Sequence, residues 1–460
     1  MSNSQWILTA LLIGLIATVM TTTFFFIRRK KLGLMDFRLI AFGLTFGPGI
    51  LASVFIPVDT LDTWLHQWPS ILVLILSAVF SFYLSLLVIF VWELCFPRLA
   101  LQCQLANLQE RVLSVTLAEV VGLVALISFI QVFGVLHYGL VGSLAVSGSH
   151  AINLLKNRAI PYWYTSLRSL DNLFLSSALL LVGANLVLPS QTLARKYVFI
   201  LLACLLLLFA FIGGRRILMY ALIELVVINA TKIHGLFKPK LLFALCISLV
   251  FISVMSNMYQ YYRTRIGTTS IMQIISHWDD FRLTTENLAA RMPDWTGDYL
   301  AFSVQKQKKP MMGAILSQEI RNNIPEILNP RKKWVYIKNL INNYYGLGWS
   351  HGFPITPTFE LIGDWGPVAG LLVGVFCYIF CLALPAACAL FYLRRMPLAQ
   401  ICVAGAVAYL LMNVELDFYS SIFEFWKYLA VVVLGAIILS RLKAQSWGRQ
   451  HHQPSLEVLR

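Results

Sequence analysis

The feature that most constrains this chain is the recurrence of apolar runs of about 20 residues along its whole length. A run of that length can cross the hydrocarbon core of a bilayer as a helix, which satisfies its own backbone hydrogen bonds. Barrel strands are excluded because they are shorter and alternate in polarity. A soluble chain would carry about a quarter charged residues, whereas this one carries 12%. The sequence therefore predicts an all-α polytopic membrane protein and excludes a soluble enzyme, a secreted disulfide scaffold and a disordered chain.

Eleven spans are predicted. About eight of them form an N-terminal bundle (1–259), and the others form a C-terminal group (366–440). A large loop domain (260–365) lies between the two groups in the sequence, and a tail (441–460) follows them. The first run is followed, not preceded, by four basic residues, so it is interpreted as a retained span and not as a signal peptide. The predicted spans are 5–27, 37–57, 70–94, 113–136, 171–190, 197–213, 217–231, 241–259, 366–392, 398–414 and 426–440.

The basic residues predict the orientation, because Lys and Arg concentrate in the cytoplasmic loops of membrane proteins. Threading from Arg28 puts 18 of the 36 basic residues on cytoplasmic segments and 6 on short outer loops. The other 12 lie in the segment 260–365, whose length weakens the rule. We therefore expect the N-terminus outside, the C-terminus inside and 260–365 on the outer face. The net charge of +15 belongs to membrane edges and does not indicate nucleic acid.

Arg215 and Arg216 stand out because they oppose this trend. The apolar stretch 197–231 would be roughly 52 Å long as one helix, too long for one crossing of a core about 30 Å thick. We expect two short spans with Gly213-Gly214-Arg215-Arg216 at the outer turn. Guanidinium groups there suit either a bound diphosphate or lipid phosphates reached by snorkelling. Arg265, just past the eighth span, suits a diphosphate clamp and an interfacial anchor equally well.

The outer segment 260–365 is the expected working domain, with short helices predicted at 269–291 and 312–323 and loops after them. Its flat aromatic residues, among them Tyr345 and Trp349, suit sugar stacking, although such rings also pack loops or lie in the interfacial belt. His351 and Glu360 share a Gly- and Pro-rich stretch next to the ninth span, where either could accept a proton or serve structure alone.

The layout resembles the Wzy-type bacterial polysaccharide polymerases and the related O-antigen ligases. The shared features are 10–14 spans, a mid-chain arginine turn and one large periplasmic loop before the last spans. The stretch His351-Gly-Phe-Pro-Ile-Thr-Pro-Thr-Phe-Glu-Leu-Ile-Gly363 is similar to the end of that loop, including in enterobacterial common antigen polymerases. Gly213-Gly214-Arg215 and the run from Asp280 to Glu286-Asn287-Leu-Ala are similar too.

The resemblance implies a GT-C-like glycosyltransferase of the inner membrane that polymerises undecaprenyl-diphosphate-linked oligosaccharides on the periplasmic face. Arg215, Arg216 and Arg265 would bind the diphosphate, and His351 or Glu360 would take the proton of the attacking hydroxyl. Glu286, with Tyr345 and Trp349, would bind the acceptor sugar.

No cofactor or metal is expected, and no Asp-x-Asp motif occurs in an outer loop. Expected partners are membrane lipids and the flippase and chain-length regulator of the same pathway. The alternatives are an O-antigen ligase acting on lipid A core and a lipid-linked oligosaccharide flippase or transporter.

Overall fold

The computed structural model describes residues 69–105, 111, 114–146, 162–187, 193–213, 309–324, 335, 337–345, 357–412 and 418–451. All regular secondary structure within these ranges is helical. The helices are α1 (Pro69–Cys95), α2 (Pro97–Leu105), α3 (Leu117–Val146), α4 (Tyr162–Val187), α5 (Leu193–Gly213), α6 (Ala314–Asn323), α7 (Ile337–Tyr345), α8 (Pro357–Trp365), α9 (Pro367–Phe376), α10 (Leu384–Tyr392), α11 (Pro397–Met412) and α12 (Phe418–His451). A π-helical segment, Cys377–Ala383, joins α9 to α10.

Three helical stretches in the described part of the chain are long and apolar enough to cross a membrane. They are Leu117–Gly134, Pro367–Tyr392 and Phe418–Arg441. Shorter apolar helices occupy Phe82–Cys95, Leu173–Gly183 and Pro397–Val407. The prediction of an all-helical membrane protein is therefore confirmed for these residues. The predicted spans 5–27, 37–57, 217–231 and 241–259 and the predicted helix 269–291 lie outside the described residues.

Helix boundaries match the predicted spans at some ends and exceed them at others. The predicted span 70–94 agrees with α1 to within one residue at each end. In contrast, α4 begins at Tyr162 rather than 171, and α12 runs from Phe418 to His451 rather than from 426 to 440. Hydropathy marks only the part of a helix that suits hydrocarbon, whereas helical hydrogen bonding continues into the polar layers. Residues 441–451 of the predicted tail are therefore helical.

Proline marks the first residue of several helices, since its fixed φ suits this position and its missing N–H would have no partner there. The predicted helix 312–323 is confirmed as α6. The loops predicted after it were wrong in two places, where the chain forms α7 and α8. The Gly- and Pro-rich pattern predicts a loop at Pro357, but this residue opens α8. The helices that start at proline are α1, α2, α8, α9 and α11.

The π-helical segment Cys377–Ala383 lies inside the long span Pro367–Tyr392. Pro385 follows it and has no N–H to donate to the carbonyl four residues earlier. The N–H of Leu384 reaches back five residues to the carbonyl of Ile379. The wider turn lets the span continue through the proline with its other backbone groups bonded.

Glycine allows α8 to lie directly on the ninth predicted span. Gly366, Gly370 and Gly374 are spaced by four residues, which places them on one face of α9 and its entry turn. A methyl group at Gly370 would lie 2.5 Å from the carbonyl oxygen of Leu361, and one at Gly374 would lie 2.9 Å from side chains of Leu361 and Leu84. The backbone of α8 and the side chain of Leu84 on α1 thus meet α9 at its glycines.

The described helices meet in two groups at opposite ends of the spans. At one end α2 packs against α10, and Arg111 donates from Nη1 to the carbonyl oxygen of Arg394 at 3.0 Å. At the other end α6 and α8 pack against each other, and α6 also contacts α12, which begins at Phe418.

We expect Gly370→Ala to destabilise the protein, because the added methyl would meet backbone that cannot move aside without shifting α8. Overpacking of this kind costs about 1–3 kcal/mol. Gly435→Ala is the matched control, since nothing lies within 4 Å of a methyl at that position of α12. Unfolding of both variants in detergent micelles tests this, and equal stability would contradict the close approach of α8 to α9.

Candidate functional site

Three acidic side chains are buried where α6, α8 and the start of α12 meet. Glu319 on α6 is 3% exposed, and Glu360 and Asp364 on α8 are each 0% exposed. Burying a carboxylate is costly unless hydrogen bonds replace its water. We call these three residues the carboxylate junction, and the donors around them explain how the outer segment is attached to the spans.

Asp364 caps α6 from 49 residues away. Its Oδ1 accepts the N–H of Ile315 at 3.0 Å, and its Oδ2 accepts the N–H of Leu316 at 3.2 Å. These are first-turn amides that have no partner within the helix. The residue at the N-cap position, Gly313, has no side chain for this purpose. A carboxylate at a helix N-terminus is also favoured by the helix dipole.

Backbone hydrogen bonds hold the same two segments in register. The N–H of Met311 donates to the carbonyl of Gly363 at 2.9 Å, and the N–H of Gly313 donates to the carbonyl of Asp364 at 3.3 Å. Gly313 has φ of 86°, and a methyl there would lie 2.8 Å from the indole ring of Trp365. Glycine is therefore required at this position both for its conformation and for the approach of the indole.

Glu360 and Glu319 both accept hydrogen bonds from the first turn of α12. The backbone N–H of Phe418, the first residue of α12, donates to Oε2 of Glu360. In the same turn, Ser420 donates from Oγ to Oε1 of Glu319 at 2.8 Å. Asn323 donates from Nδ2 to Oε2 of Glu319 at 3.0 Å. Two helices of the outer segment, α6 and α8, are thus each bonded to the first turn of α12.

An aromatic contact completes the carboxylate junction. The indole Nε1 of Trp365 donates to the hydroxyl of Tyr419 at 3.0 Å, and that hydroxyl lowers the pKa of Asp364, against the larger effect of burial. The ring of Phe418 lies 5.1 Å from the ring of Tyr378, which is in the π-helical segment. Hydrogen bonds thus link helices of the outer segment to the first turn of α12, and the ring contact of Phe418 connects that turn to the ninth predicted span.

The electrostatics of Asp364 reflect a balance between burial and hydrogen bonding. Burial disfavours the charged form and raises the pKa of Asp364 above its ordinary 3.8, against the lowering effect of the amide donors. Among ion pairs formed between described residues, only Lys427–Glu424 at 3.1 Å is present. Within this part of the chain the capping amides, rather than a basic side chain, stabilise the carboxylate of Asp364. Chemically, the arrangement is suited to positioning helices.

Most residues predicted to form the site fall outside the described part of the chain. Glu360 lies in the carboxylate junction, and Tyr345 is the last residue of α7. The roles assigned to both stay predictions. The predicted site residues outside the described part are Arg215, Arg216, Arg265, Glu286, Trp349 and His351.

Several buried polar residues are absent from the predicted site. The missing N-cap side chain before α6 was a signal that another group must cap that helix, but it does not identify Asp364.

Between α3 and α4, Gln131 donates from Nε2 to Oδ2 of Asp171, and both side chains are buried. Asp171 is the first residue of the predicted span 171–190, where an acidic residue signals a polar contact inside the bundle. The described residues contain no group of three His, Cys, Asp or Glu side chains suited to a metal.

No protein-family model, curated protein or solved structure matches this chain significantly.

Replacing Asp364 with Asn should destabilise the protein by about 1–2 kcal/mol. The side-chain NH2 of Asn would face a backbone N–H of α6, and two donors cannot form a hydrogen bond with each other. The raised pKa means that the folded protein binds the proton more tightly than the unfolded chain does. Ionisation of Asp364 therefore reduces stability as the pH rises from 3.8 through the raised value. We expect the stability gap between wild type and Asp364→Asn to be widest in acid and to narrow as the pH rises.

Chemical unfolding in detergent at several pH values measures this gap. Glu424→Gln is the control, since Glu424 belongs to a surface pair at 3.1 Å and such pairs contribute little. A gap that widens with rising pH would contradict the raised pKa, and an unchanged stability would contradict the capping role.

Proposed function

We propose that this protein is an inner-membrane polymerase that joins undecaprenyl-diphosphate-linked oligosaccharide units on the periplasmic face. The observation that supports it best is the carboxylate junction, which fixes α6 and α8 to the first turn of α12. Helix α7 packs on α6, and in the sequence residues 346–356, which contain His351, connect α7 to α8. In this proposal, a reacting group in that stretch acts at the membrane surface, where a lipid-linked substrate presents its diphosphate.

The proposed reaction transfers the glycan from its lipid carrier to a sugar hydroxyl. The hydroxyl oxygen of one lipid-linked unit attacks the anomeric carbon of another, and the bond from that carbon to the diphosphate oxygen breaks. The proton passes from the hydroxyl to a base of the protein, and the lipid diphosphate leaves with the electron pair. The new product is one glycan longer and remains attached to the acceptor's lipid.

The surroundings of Glu360 favour His351 as the base in this proposal. Glu360 is 0% exposed and already accepts the N–H of Phe418, so proton uptake there would weaken the bond that starts α12. We therefore give Glu360 a positioning role. His351 can accept a proton near neutral pH because its ordinary pKa is about 6.5.

The proposal assigns the leaving diphosphate to Arg215 and Arg216, with Arg265 as a further contact. Guanidinium groups bond phosphate oxygens bidentately and stay charged through the reaction. They would stabilise the charge that develops as the carbon–oxygen bond breaks. Glu286, Tyr345 and Trp349 are assigned to the acceptor sugar, through hydrogen bonds to hydroxyls and stacking on the ring face.

Two alternatives make different predictions for a strain that lacks the protein. A polymerase defect leaves lipopolysaccharide capped with a single repeat, whereas a ligase defect leaves uncapped core. A flippase defect keeps the lipid-linked unit on the cytoplasmic leaflet. The polysaccharide profile of the deletion strain therefore separates all three.

Arg215→Ala should reduce polymerisation by a factor of about 10²–10³, because the diphosphate would lose a stabilising charge. Gel profiles of the glycan from cells that express normal amounts of the variant measure this loss. The control is Arg321→Ala, which removes an exposed arginine of α6 to which we assign no role. Long chains of normal abundance in Arg215→Ala would contradict the diphosphate role.

His351→Ala and Glu360→Gln should separate the base from the positioning residue. We expect His351→Ala to lower the rate by about 10²–10⁴ without altering stability. Glu360→Gln should lower the unfolding temperature, because the N–H of Phe418 loses a charged acceptor. A stable Glu360→Gln protein that is inactive, beside an active His351→Ala protein, would instead assign proton transfer to Glu360.

A cysteine in place of Trp295 should react with a membrane-impermeant thiol reagent in intact cells, because 260–365 is predicted to face outward. The native cysteines fall on predicted spans or predicted cytoplasmic segments, so the parent protein is the background control. Protection of the new thiol until the cells are opened would overturn the orientation.

A further inference from the structure

A tight turn at residues 311–314, beside the carboxylate junction, exposes an apolar side chain. The N–H of Ala314 donates to the carbonyl oxygen of Met311 at 3.2 Å, which closes the turn. The two central residues, Met312 and Gly313, have φ of 53° and 86°. The side chain of Met312 is 74% exposed, whereas that of Met311 is 8% exposed.

The backbone of Met312 is strained. Turns with positive φ at both central positions favour Asn and Gly, because a larger L side chain meets its own backbone there. Met312 is the one non-glycine residue with such a φ in the described part of the chain. Hydrogen bonds on both sides of it, from the N–H groups of Met311 and Gly313, hold the turn in place. The fixed turn therefore directs a long apolar side chain away from the protein core.

The contacts of the turn place it where two spans begin. Its N–H groups donate to the carbonyls of Gly363 and Asp364 on α8, which lie within four residues of the start of the span Pro367–Tyr392. Phe418, the first residue of the span Phe418–Arg441, is bonded to the same helix α8. The ends of spans lie near the boundary between hydrocarbon and lipid headgroups. The turn therefore lies near that boundary.

Two polar side chains beside the turn suit the same boundary. Tyr344 is 36% exposed and donates from its hydroxyl to the carbonyl oxygen of Lys309 at 3.0 Å, which holds the end of α7 beside the residues that lead into the turn. Lys309 is also exposed. Tyrosine is enriched at the headgroup level, and a lysine side chain can extend its ammonium group to lipid phosphates. A thioether, a phenol and an ammonium group together match the layers of one leaflet.

We propose that Lys309, Met312 and Tyr344 form a lipid-contact surface, in which the thioether of Met312 enters the acyl-chain region of the bilayer. The partner is a phospholipid of the surrounding bilayer, not a substrate. Removal of the exposed side chain from water would offset the backbone strain at Met312. The surface would hold α6 and α7 on the bilayer beside the spans. It is separate from the proposed transferase site and does not depend on it.

Oxidation of Met312 by aqueous periodate, with the full chain in lipid nanodiscs that each hold one copy, tests the proposal. The periodate anion passes one oxygen atom to the thioether sulfur and becomes iodate, and the anion is excluded from the acyl-chain region. The control is Arg321→Met, because Arg321 is an exposed, charged residue of α6. We expect Met312 to form sulfoxide at least about tenfold more slowly than the introduced thioether in the same molecule. Equal rates by peptide mass spectrometry would overturn the proposal.

Slow oxidation would also result if another part of this chain covered Met312, so the neighbour itself must be identified. Photocrosslinking of Met312→benzoylphenylalanine in proteoliposomes, where copies of the chain can meet, serves this purpose. We expect an adduct with the mass of one phospholipid, which should be absent from Arg321→benzoylphenylalanine. A crosslink within the chain, a crosslink between two copies, or no lipid adduct would each overturn the proposal.

The side chain of Lys309 offers a second position for the photoreactive group. Tyr344 is bonded to the backbone carbonyl of Lys309, so Lys309→benzoylphenylalanine keeps that hydrogen bond. If the variant at Met312 does not fold, this variant decides between a lipid adduct, which supports the proposal, and a protein crosslink or no adduct, which contradicts it.

Discussion

Backbone amides at the start of a helix have no partner within that helix, and here distant carboxylates supply the partners. Asp364 accepts two amides of α6, and Glu360 accepts the amide that opens α12. A buried amide without an acceptor would cost about 1–3 kcal/mol, so each helix depends on the side chain that caps it. Helices α6 and α8 and the last span therefore hold one another in place.

Close packing at glycine gives the carboxylates their positions. In α8, Glu360 precedes Leu361 and Asp364 follows it by three residues, and the backbone of Leu361 approaches Gly370 closely. Because Gly370 has no side chain, the axis of α8 lies close to that of α9, and this fixes where both carboxylates lie relative to the spans. The capping carboxylates orient α6 and α12, and the contact at Gly370 sets the position of these helices along the axis of the spans. Neither device is sufficient alone, since a capped helix without this contact could be displaced along the span.

Hydropathy predicts spans well because the free energy of transfer into hydrocarbon is a local property, summed over about 20 residues. The agreement of α1 with 70–94 shows this. Contacts between distant residues have no such local signature. The capping of Ile315 by Asp364 could not be predicted, because any of nine acidic residues in 260–365 was available. The error at α8 has a different cause. Pro357 and Gly363 were interpreted as loop signals, although proline at the first position and burial on α9 both favour a helix.

The two ends of the described bundle differ in the exposure of their charged residues. This difference bears on how the protein is oriented in the membrane. At the carboxylate junction the acidic groups are buried and receive amide and hydroxyl donors, so they contribute little to the field outside the protein. At the other end Arg98, Arg394 and Arg395 stay exposed. Moving an arginine through the bilayer centre costs about 2.5–3.5 kcal/mol on insertion scales, so this end resists translocation. We expect these arginines to lie on the cytoplasmic side, which would leave the carboxylate junction on the opposite side of the membrane.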